Sequence, residues 1–268
     1  MIHLQSVEVR NTFPRGEVGF PFTVPSLAAL TEIRFQSPVT FLVGENGSGK
    51  STFLEALAAA AGSIAVGSAE VGRDETLSAA RQVARHLKLA WSRRTHRGFF
   101  LRAEDFFGFA KRMAQMRAEM EAEIAAVERE YKGRSDKAKG LAKMPYAGSL
   151  HALRQRYGEG LDAQSHGESF LALFQSRFVP DGLYLLDEPE APLSPLRQVG
   201  FLSLLKEMVA QDAQFIIATH SPILMAFPGA EILSFDHTPV RPVPWDELEH
   251  VSITRSFLNA PEAYLRHL

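Results

Sequence analysis

Residues 44–52 read Gly-Glu-Asn-Gly-Ser-Gly-Lys-Ser-Thr and follow directly on the apolar run Val39-Thr40-Phe41-Leu42-Val43. The stretch fills the pattern G-x-x-x-x-G-K-[ST] where a buried strand would hand over to a helix, the context in which the pattern forms a phosphate-binding P-loop. Gly44, Gly47 and Gly49 let the backbone turn tightly and bring successive N–H groups to one concave side, with Asn46 and Ser48 between them. The Ala/Leu-rich helix expected over 53–61, stopped by Gly62, adds its positive dipole end at the same point. In that setting Lys50 reaches the terminal phosphates and Ser51 offers a hydroxyl to Mg2+, while Thr52 lies one residue further round. A nucleoside triphosphate site is therefore expected here.

The bulk composition narrows the rest. A chain of 268 residues can be one large α/β domain or one domain with an insertion, and 46% apolar content is enough to bury a core. A net charge of -2 argues against nucleic-acid binding by the whole surface and leaves room for a local basic patch. With no cysteine there are no disulfides, thiolate metal sites or cysteine nucleophiles, which suits a reducing compartment. The first ten residues alternate apolar and polar, without a basic segment leading into an apolar one, so no signal peptide is expected. No stretch approaches the roughly 20 apolar residues of a membrane helix, so no membrane insertion and a cytoplasmic location are expected.

Along the chain, strands are expected at 2–10 and 32–35 before the P-loop strand, then a helix over 77–89 and a buried strand at 98–102. Residues 106–131 carry Met113, Met116, Met120, Ile124 and Val127 at spacings of three and four, an amphipathic helix about 39 Å long. Gly133 ends it, and 134–143 reads as a polar, Lys-rich connection. Residues 103–160 read as a helical arm and linker inserted into a single domain spanning 1–268; a helix packed on the core fits the same periodicity. The α/β rhythm then returns. Apolar runs at 183–186 and 215–218 suit central parallel strands, with a helix over 195–210 between them. A strand at 232–235 and two terminal helices complete the expectation: an α/β fold, β-rich at its N-terminal part, with a short helical insertion.

Phosphate binding alone does not give hydrolysis, and Leu185-Leu186-Asp187-Glu188-Pro189 supplies what is missing. An apolar strand ending in Asp187 puts a carboxylate at the carboxyl edge of the sheet, where it can hold a Mg2+ shell. Glu188 is next to it and suited to polarise an attacking water. Thr219-His220-Ser221-Pro222 ends the next strand. A lone histidine is more often structural, but at a strand's carboxyl end beside such a site His220 can bond the γ-phosphate or the water. Gln164-Ser165-His166-Gly167-Glu168-Ser169 precedes an apolar helical run. Small residues there expose N–H groups to an anion, with Ser165 or Ser169 as hydroxyl donors, although an ordinary helix cap explains the motif taken alone.

In this order, G-E-N-G-S-G-K-S-T, Q-S-H-G-E-S, L-Y-L-L-D-E-P-E, A-P-L-S-P and I-I-A-T-H-S-P, the chain resembles ATP-binding-cassette-type ATPases. It is more closely similar to bacterial ATPases of the AAA superfamily that share a head with SMC and RecF proteins. Q-S-H-G-E-S-F-L-A-L-F and G-F-F-L-R-A-E point to one small family among them. The resemblance implies an ABC/SMC-like ATPase head that dimerises around two ATP molecules, each held between the P-loop of one subunit and the signature motif of the other. It implies Walker A at Gly44, Asn46, Gly47, Gly49, Lys50, Ser51 and Thr52, and Walker B with its catalytic glutamate at Asp187 and Glu188. It also implies the signature at Ser165, Gly167 and Glu168, a D-loop at 191–195 and the switch histidine at His220. The signature is S-H-G-E-S rather than L-S-G-G-Q, and the expected Q-loop glutamine is replaced by Ala103-Glu104-Asp105, where Glu104 could contribute to metal or water binding.

Other features stay open. Phe20 and Phe22 are candidates for stacking on adenine, with core packing the commoner role. Arg93, Arg94 and Arg97 form the one concentrated basic cluster; a solvated hairpin turn is its default reading and nucleic-acid contact the other. The acidic run at 246–249 before His250 has metal-like spacing but reads as a solvated helix face. The expected function is Mg2+-dependent ATP binding and hydrolysis with ATP-gated head dimerisation, coupled to a partner. An ATP-controlled nucleic-acid repair or defence factor and the ATP-binding subunit of a transporter are the alternatives.

Overall fold

The structure, a computed structural model, describes residues 1–16, 19–65, 77–157 and 166–266. β3 (Val39–Val43) is buried at all five positions because it is flanked on both edges and covered on both faces. It runs parallel between β7 (Gln214–Ala218) and β8 (Glu231–Ser234), with Phe41 opposite Ile217 on one side and Ile232 on the other. Beyond β7 lie β6 (Leu183–Asp187) and then β5 (Gly98–Arg102), both parallel, so the order is β5-β6-β7-β3-β8 with a short antiparallel β9 (Arg241–Pro242) at the edge. Strands covered on both faces leave few positions for polar side chains, which is why 39–43, 183–186 and 215–218 read as apolar runs interrupted only by the buried Thr40 and Tyr184. At the start of β5 a side chain is sterically excluded: a Cβ on Gly98, whose φ is +109°, would lie 1.9 Å from the Leu183 carbonyl oxygen.

A second sheet is antiparallel, with β1 (Leu4–Val9) between β2 (Glu32–Arg34) and β4 (Leu87–Trp91). α2 (Lys50–Ala61) touches β4 from this sheet and β6 and β7 from the other, and packs on α3 (Ser78–Ala84). Its Phe53, Leu54 and Leu57 are fully buried, each contributing about 1.5–3 kcal/mol relative to exposure. Gly62, at φ +70°, closes α2 by freeing the Ser63 N–H to bond Ala58, as sequence position suggests. The two sheets are also tied by Gln214, a buried amide that acts as an extra peptide group. Its Oε1 accepts the His3 and Leu4 N–H groups at 2.9 and 2.8 Å, and its Nε2 donates to the Leu4 carbonyl at 3.0 Å. On the opposite face of the large sheet, Phe99, Phe178, Tyr184 and Phe215 form an aromatic cluster with centroids 4.5–5.7 Å apart.

Two expectations for residues 77–97 are corrected. The helix over 77–89 stops at Ala84, and Leu87–Trp91 is a strand, because pairing with β1 outweighs the local helix propensity of Leu, Lys and Ala. The basic cluster therefore does not turn a hairpin: β4 and β5 on either side of it belong to different sheets. Arg93 and Arg97 approach Asp181 at 3.4 and 3.7 Å.

Residues 1–103 with 178–268 form one compact unit, and 104–177 a second. The helices of the second are α4 (Ala103–Glu130), α5 (Asp136–Tyr157) and α6 (His166–Arg177). Gly133, at φ +92°, turns the chain after α4. The Lys-rich stretch from 134 is not a connection, since α5 begins at Asp136 with the Ser135 hydroxyl accepting the Ala138 N–H at 3.3 Å. Lysine and alanine favour helix wherever a cap starts one. Lys143 pairs with Glu128 between α4 and α5, and Phe170 meets Phe174 edge-on within α6. Among the described residues no helix is long and apolar enough to cross a membrane.

In the first unit the remaining helices are α1 (Pro25–Ala28), α7 (Pro195–Ala210), α8 (Pro222–Met225), α9 (Glu249–Asn259) and α10 (Pro261–Leu265). The parallel strands end at one edge, and the chemistry-bearing residues gather there.

Candidate functional site

The loop from β3 to α2 is braced from two sides. Asp236, two residues beyond β8, accepts the Glu45 N–H on Oδ1 at 2.7 Å. A Cβ on Gly44 would lie 2.9 Å from that same oxygen. From the other side the Ser26 hydroxyl of α1 donates to the Ser48 carbonyl. A Cβ on Gly49, at φ +100°, would lie 2.7 Å from Ser26 Oγ. Both glycines are therefore required by close approach as well as by backbone angle. Asn46 and Gly47 form the exposed tip.

Inside this cradle Lys50, the first residue of α2, is buried and donates to the Gly44 and Glu45 carbonyls at 2.6 and 3.0 Å. Burial pushes its ammonium pKa down, while Asp236, Asp187, Glu188 and Glu45 pull it up. The Ser48 hydroxyl is buried with no hydrogen-bond partner among the described residues. A helix start leaves its first N–H groups without intrahelical partners, here those of Lys50, Ser51 and Thr52, which have none among the described residues; Phe53 is the first to pair, with Gly49 at 2.9 Å. A buried cation, an orphan hydroxyl and free N–H groups make a receptor for phosphate.

Asp187 ends β6, opposite Ala218 of β7 and Arg102 of β5, and Arg102 pairs with Glu55 of α2 at 3.3 Å. Its Oδ1 accepts the Ser51 hydroxyl at 3.2 Å. Burial raises the Asp187 carboxyl pKa to about 7; the Ser51 bond and Lys50 oppose this, and Glu188 and Glu55 reinforce it. The negative charge is thus undercompensated by the protein. Hydroxyl and carboxylate oxygens are the hard donors Mg2+ prefers, so the pair fits that ion.

A prediction follows for the protein without nucleotide. The folded-state pKa of Asp187 lies above its ordinary value of 3.8, so its stabilising contribution is complete below about pH 4 and is lost as pH rises through about 7. Asp187→Asn keeps an acceptor for Ser51 but carries no charge. Its Tm gain over wild type grows from pH 4 to pH 7 and then levels off, by on the order of a few kcal/mol in stability. Thermal melts across that range check it, and a pH-independent difference would contradict it.

Glu188 comes next and occupies a left-handed backbone position, φ +49°, fixed by its N–H donating to the Ala218 carbonyl at 2.9 Å. Its carboxylate is half exposed, and Oε1 lies 3.9 Å from Nε2 of His220, two residues past the end of β7. That Nε2 is shielded from solvent and has no hydrogen-bond partner among the described residues. Lys50, Ser51, Asp187, Glu188 and His220 therefore share one edge of one sheet.

Ser165 lies outside the described residues, as do the side chains of Glu104 and Glu168; Gly167 is in the first turn of α6 in the second unit. Phe22 is buried against Phe13 and His86, a core residue, whereas Phe20 is exposed. His250 of α9 is directed at Met225, with Nε2 3.5 Å from Sδ, and among the described residues no three metal-ligating side chains cluster. Asp236, Ser26 and Glu190 contribute to the site without a sequence signal that assigned them. Each acts on a loop far away in the chain.

Residues 25–68 match a family model described as "AAA domain", and residues 168–226 match another, "AAA domain, putative AbiEii toxin, Type IV TA system". No curated protein matches the chain. Among solved structures it is similar to an Smc head domain with an extended coiled coil, bound to the C-terminal domain of ScpA, from Pyrococcus furiosus. There the identity is 13% over 96% of this chain and 100% of that one, with a TM-score of 0.46. An ATP-binding cassette of an ABC transporter is 17% identical over 98% of this chain and 99% of that one, with a TM-score of 0.48. A component of an ABC transporter complex from Clostridium perfringens is 14% identical over the whole of both chains, with a TM-score of 0.45. The strand order and loop geometry of this chain define its fold without them.

Proposed function

We propose that the chain carries an AAA/ABC-type P-loop ATPase domain, that it binds ATP with Mg2+ and hydrolyses it, and that it does so as two heads closed around two nucleotides. The observation that carries this reading is the convergence of Lys50, Ser51, Asp187, Glu188 and His220 on one sheet edge. In it Ser51 and Asp187 lie 3.2 Å apart, and Glu188 and His220 3.9 Å apart. On ATP binding Lys50 exchanges its loop carbonyls for β- and γ-phosphate oxygens, and the loop N–H groups with Ser48 take the remaining phosphate contacts. Ser51 and Asp187 would hold Mg2+, which when bound neutralises phosphate charge. Glu188 orients the attacking water and accepts its proton as the water oxygen bonds to the γ-phosphorus and the bridging oxygen leaves with ADP. His220 donates to the γ-phosphate.

The proposed partner is a second copy, with Ser165, Gly167 and Glu168 facing the nucleotide of the other head. Leu196 and Val199, exposed apolar residues at the start of α7 just after 191–195, support a buried face there. Direct nucleic-acid contact through the basic cluster draws less support, because Arg93 and Arg97 already face Asp181.

Steady-state ATP turnover and solution mass, measured together with and without Mg-ATP, test the reading. The expected result is turnover that rises faster than linearly with protein concentration and a mass that doubles with ATP. A monomer with constant specific activity would remove the trans contribution, and absence of turnover at all concentrations would remove hydrolysis.

A further inference from the structure

The pair Glu188–His220 has an unexplained property. Its imidazole is aimed at the carboxylate, yet the structure gives that ring nitrogen no hydrogen-bond partner among the described residues. Its direction must come from the backbone that carries it. That backbone is held by one side chain: Oε1 of Glu190 accepts the His220 N–H at 2.7 Å. We propose that Glu190 is a positioning residue for ATP hydrolysis, holding the loop after β7 so that His220 meets Glu188 and the γ-phosphate; this rests on the roles proposed above for those two residues.

The local geometry gives Glu190 this reach. After the left-handed turn at Glu188, buried Pro189 carries the chain on, and the Ala191 N–H closes the turn on the Glu188 carbonyl at 3.1 Å. Glu190 then enters the interior, its Oε2 shielded from solvent. Burial pushes its carboxyl pKa up, opposed by the His220 N–H. A buried carboxyl group needs a strong donor, and a peptide N–H at a strand end needs an acceptor; each is costly to leave alone. Three consecutive residues of one turn therefore set both ends of the pair, Glu188 directly and His220 through its main chain.

The same loop is braced a second time. Gln198 of α7 donates from Nε2 to the Leu193 carbonyl at 3.1 Å and accepts the Ser221 hydroxyl on Oε1 at 2.5 Å. Ser221 in turn donates its N–H to Thr219 Oγ1 at 3.0 Å and caps α8 by accepting the Leu224 N–H at 3.1 Å. Thr219 also hydrogen-bonds the Glu190 carboxylate, but Ser221 keeps Gln198 and the Leu224 N–H whatever stands at position 190, so loss of the Glu190 contacts should free the His220 peptide without unfolding the loop. That separates a positioning role from a merely structural one.

The test uses the full chain and compares kcat, KM and ATP dissociation constant for Glu190→Ala, Glu190→Gln, His220→Ala and the double variant Glu190→Ala/His220→Ala. A displacement of the order of 1 Å at a reacting group costs about a hundredfold. The expected results are a 10- to 100-fold fall in kcat for Glu190→Ala with ATP affinity within about twofold of wild type, and recovery of most of kcat by Glu190→Gln, which keeps the acceptor. In the His220→Ala background, Glu190→Ala should cost less than about threefold more, since the residue acts through the histidine. Full kcat in Glu190→Ala, no recovery in Glu190→Gln, or an undiminished effect in the His220→Ala background would each overturn the proposal. If Glu190→Ala does not fold, Glu190→Asp, which shortens the reach by one methylene, carries the same test, and wild-type kcat there overturns it. Wild-type turnover in His220→Ala would instead remove the role given to His220, whereas a slow His220→Ala beside a normal Glu190→Ala removes only that of Glu190.

Discussion

Glu188→Gln is expected to lower ATP turnover by about 10²- to 10⁴-fold while leaving Mg-ATP binding intact. The substitution is isosteric, so the left-handed turn at φ +49° and the N–H bond to the Ala218 carbonyl are undisturbed. What changes is the ability to take a proton. A carboxamide can still orient a water but cannot accept the proton it loses at the moment of attack. The side chain is half exposed and 3.9 Å from His220, so the loss does not leave a buried charge unpaired, and the fold is not expected to suffer. Binding should survive, because the phosphate contacts proposed above belong to Lys50, Ser48 and the loop N–H groups, on a different segment. Phosphate release at saturating ATP, with nucleotide affinity by calorimetry, separates the two quantities. If the heads close around nucleotide, the variant should also accumulate as a dimer in Mg-ATP. Normal turnover would sink the role of Glu188.

Much of this site was legible because its determinants are local. Residues 39–43 and 183–187 are runs buried at every position, and each ends in the motif it delivers, so strand and chemistry are read from one stretch. What escaped depends on partners far away. Leu87–Trp91 becomes a strand only beside β1, some eighty positions upstream, and Asp236 matters only because Glu45 lies against it across 191 positions. Glu190 sits in plain view within Asp-Glu-Pro-Glu, but its target is the backbone of a residue 30 positions later, which no spacing rule indicates. Position 22 illustrates the opposite difficulty. Phe20 and Phe22 look alike in sequence, and only packing against Phe13 and His86 assigns one of them to the core.

Lys50→Ala is expected to weaken ATP binding by about 10²- to 10⁴-fold, the value of two charge-assisted hydrogen bonds at about 1.5–3 kcal/mol each. The ammonium is buried at the mouth of the P-loop, bonded to the Gly44 and Glu45 carbonyls. Two neutral carbonyls are a modest exchange for two phosphate oxygens, so most of the Coulomb gain is kept for the ligand. Burial pushes the lysine pKa down, and the surrounding carboxylates, Asp236 first among them, oppose that shift. Truncation leaves those carboxylates facing incoming phosphate with no positive charge between them, so repulsion adds to the lost contacts. The loop itself should persist: the Glu45 N–H remains on Asp236, the Ser48 N–H on the Glu45 carbonyl and the Ser26 hydroxyl on Ser48. A Tm near wild type with a dissociation constant at least a hundredfold weaker is therefore the expected pair of observations. An affinity within about threefold of wild type would show that the loop N–H groups alone hold the phosphates, and Lys50 would have to be reassigned to bracing the Gly44 and Glu45 carbonyls.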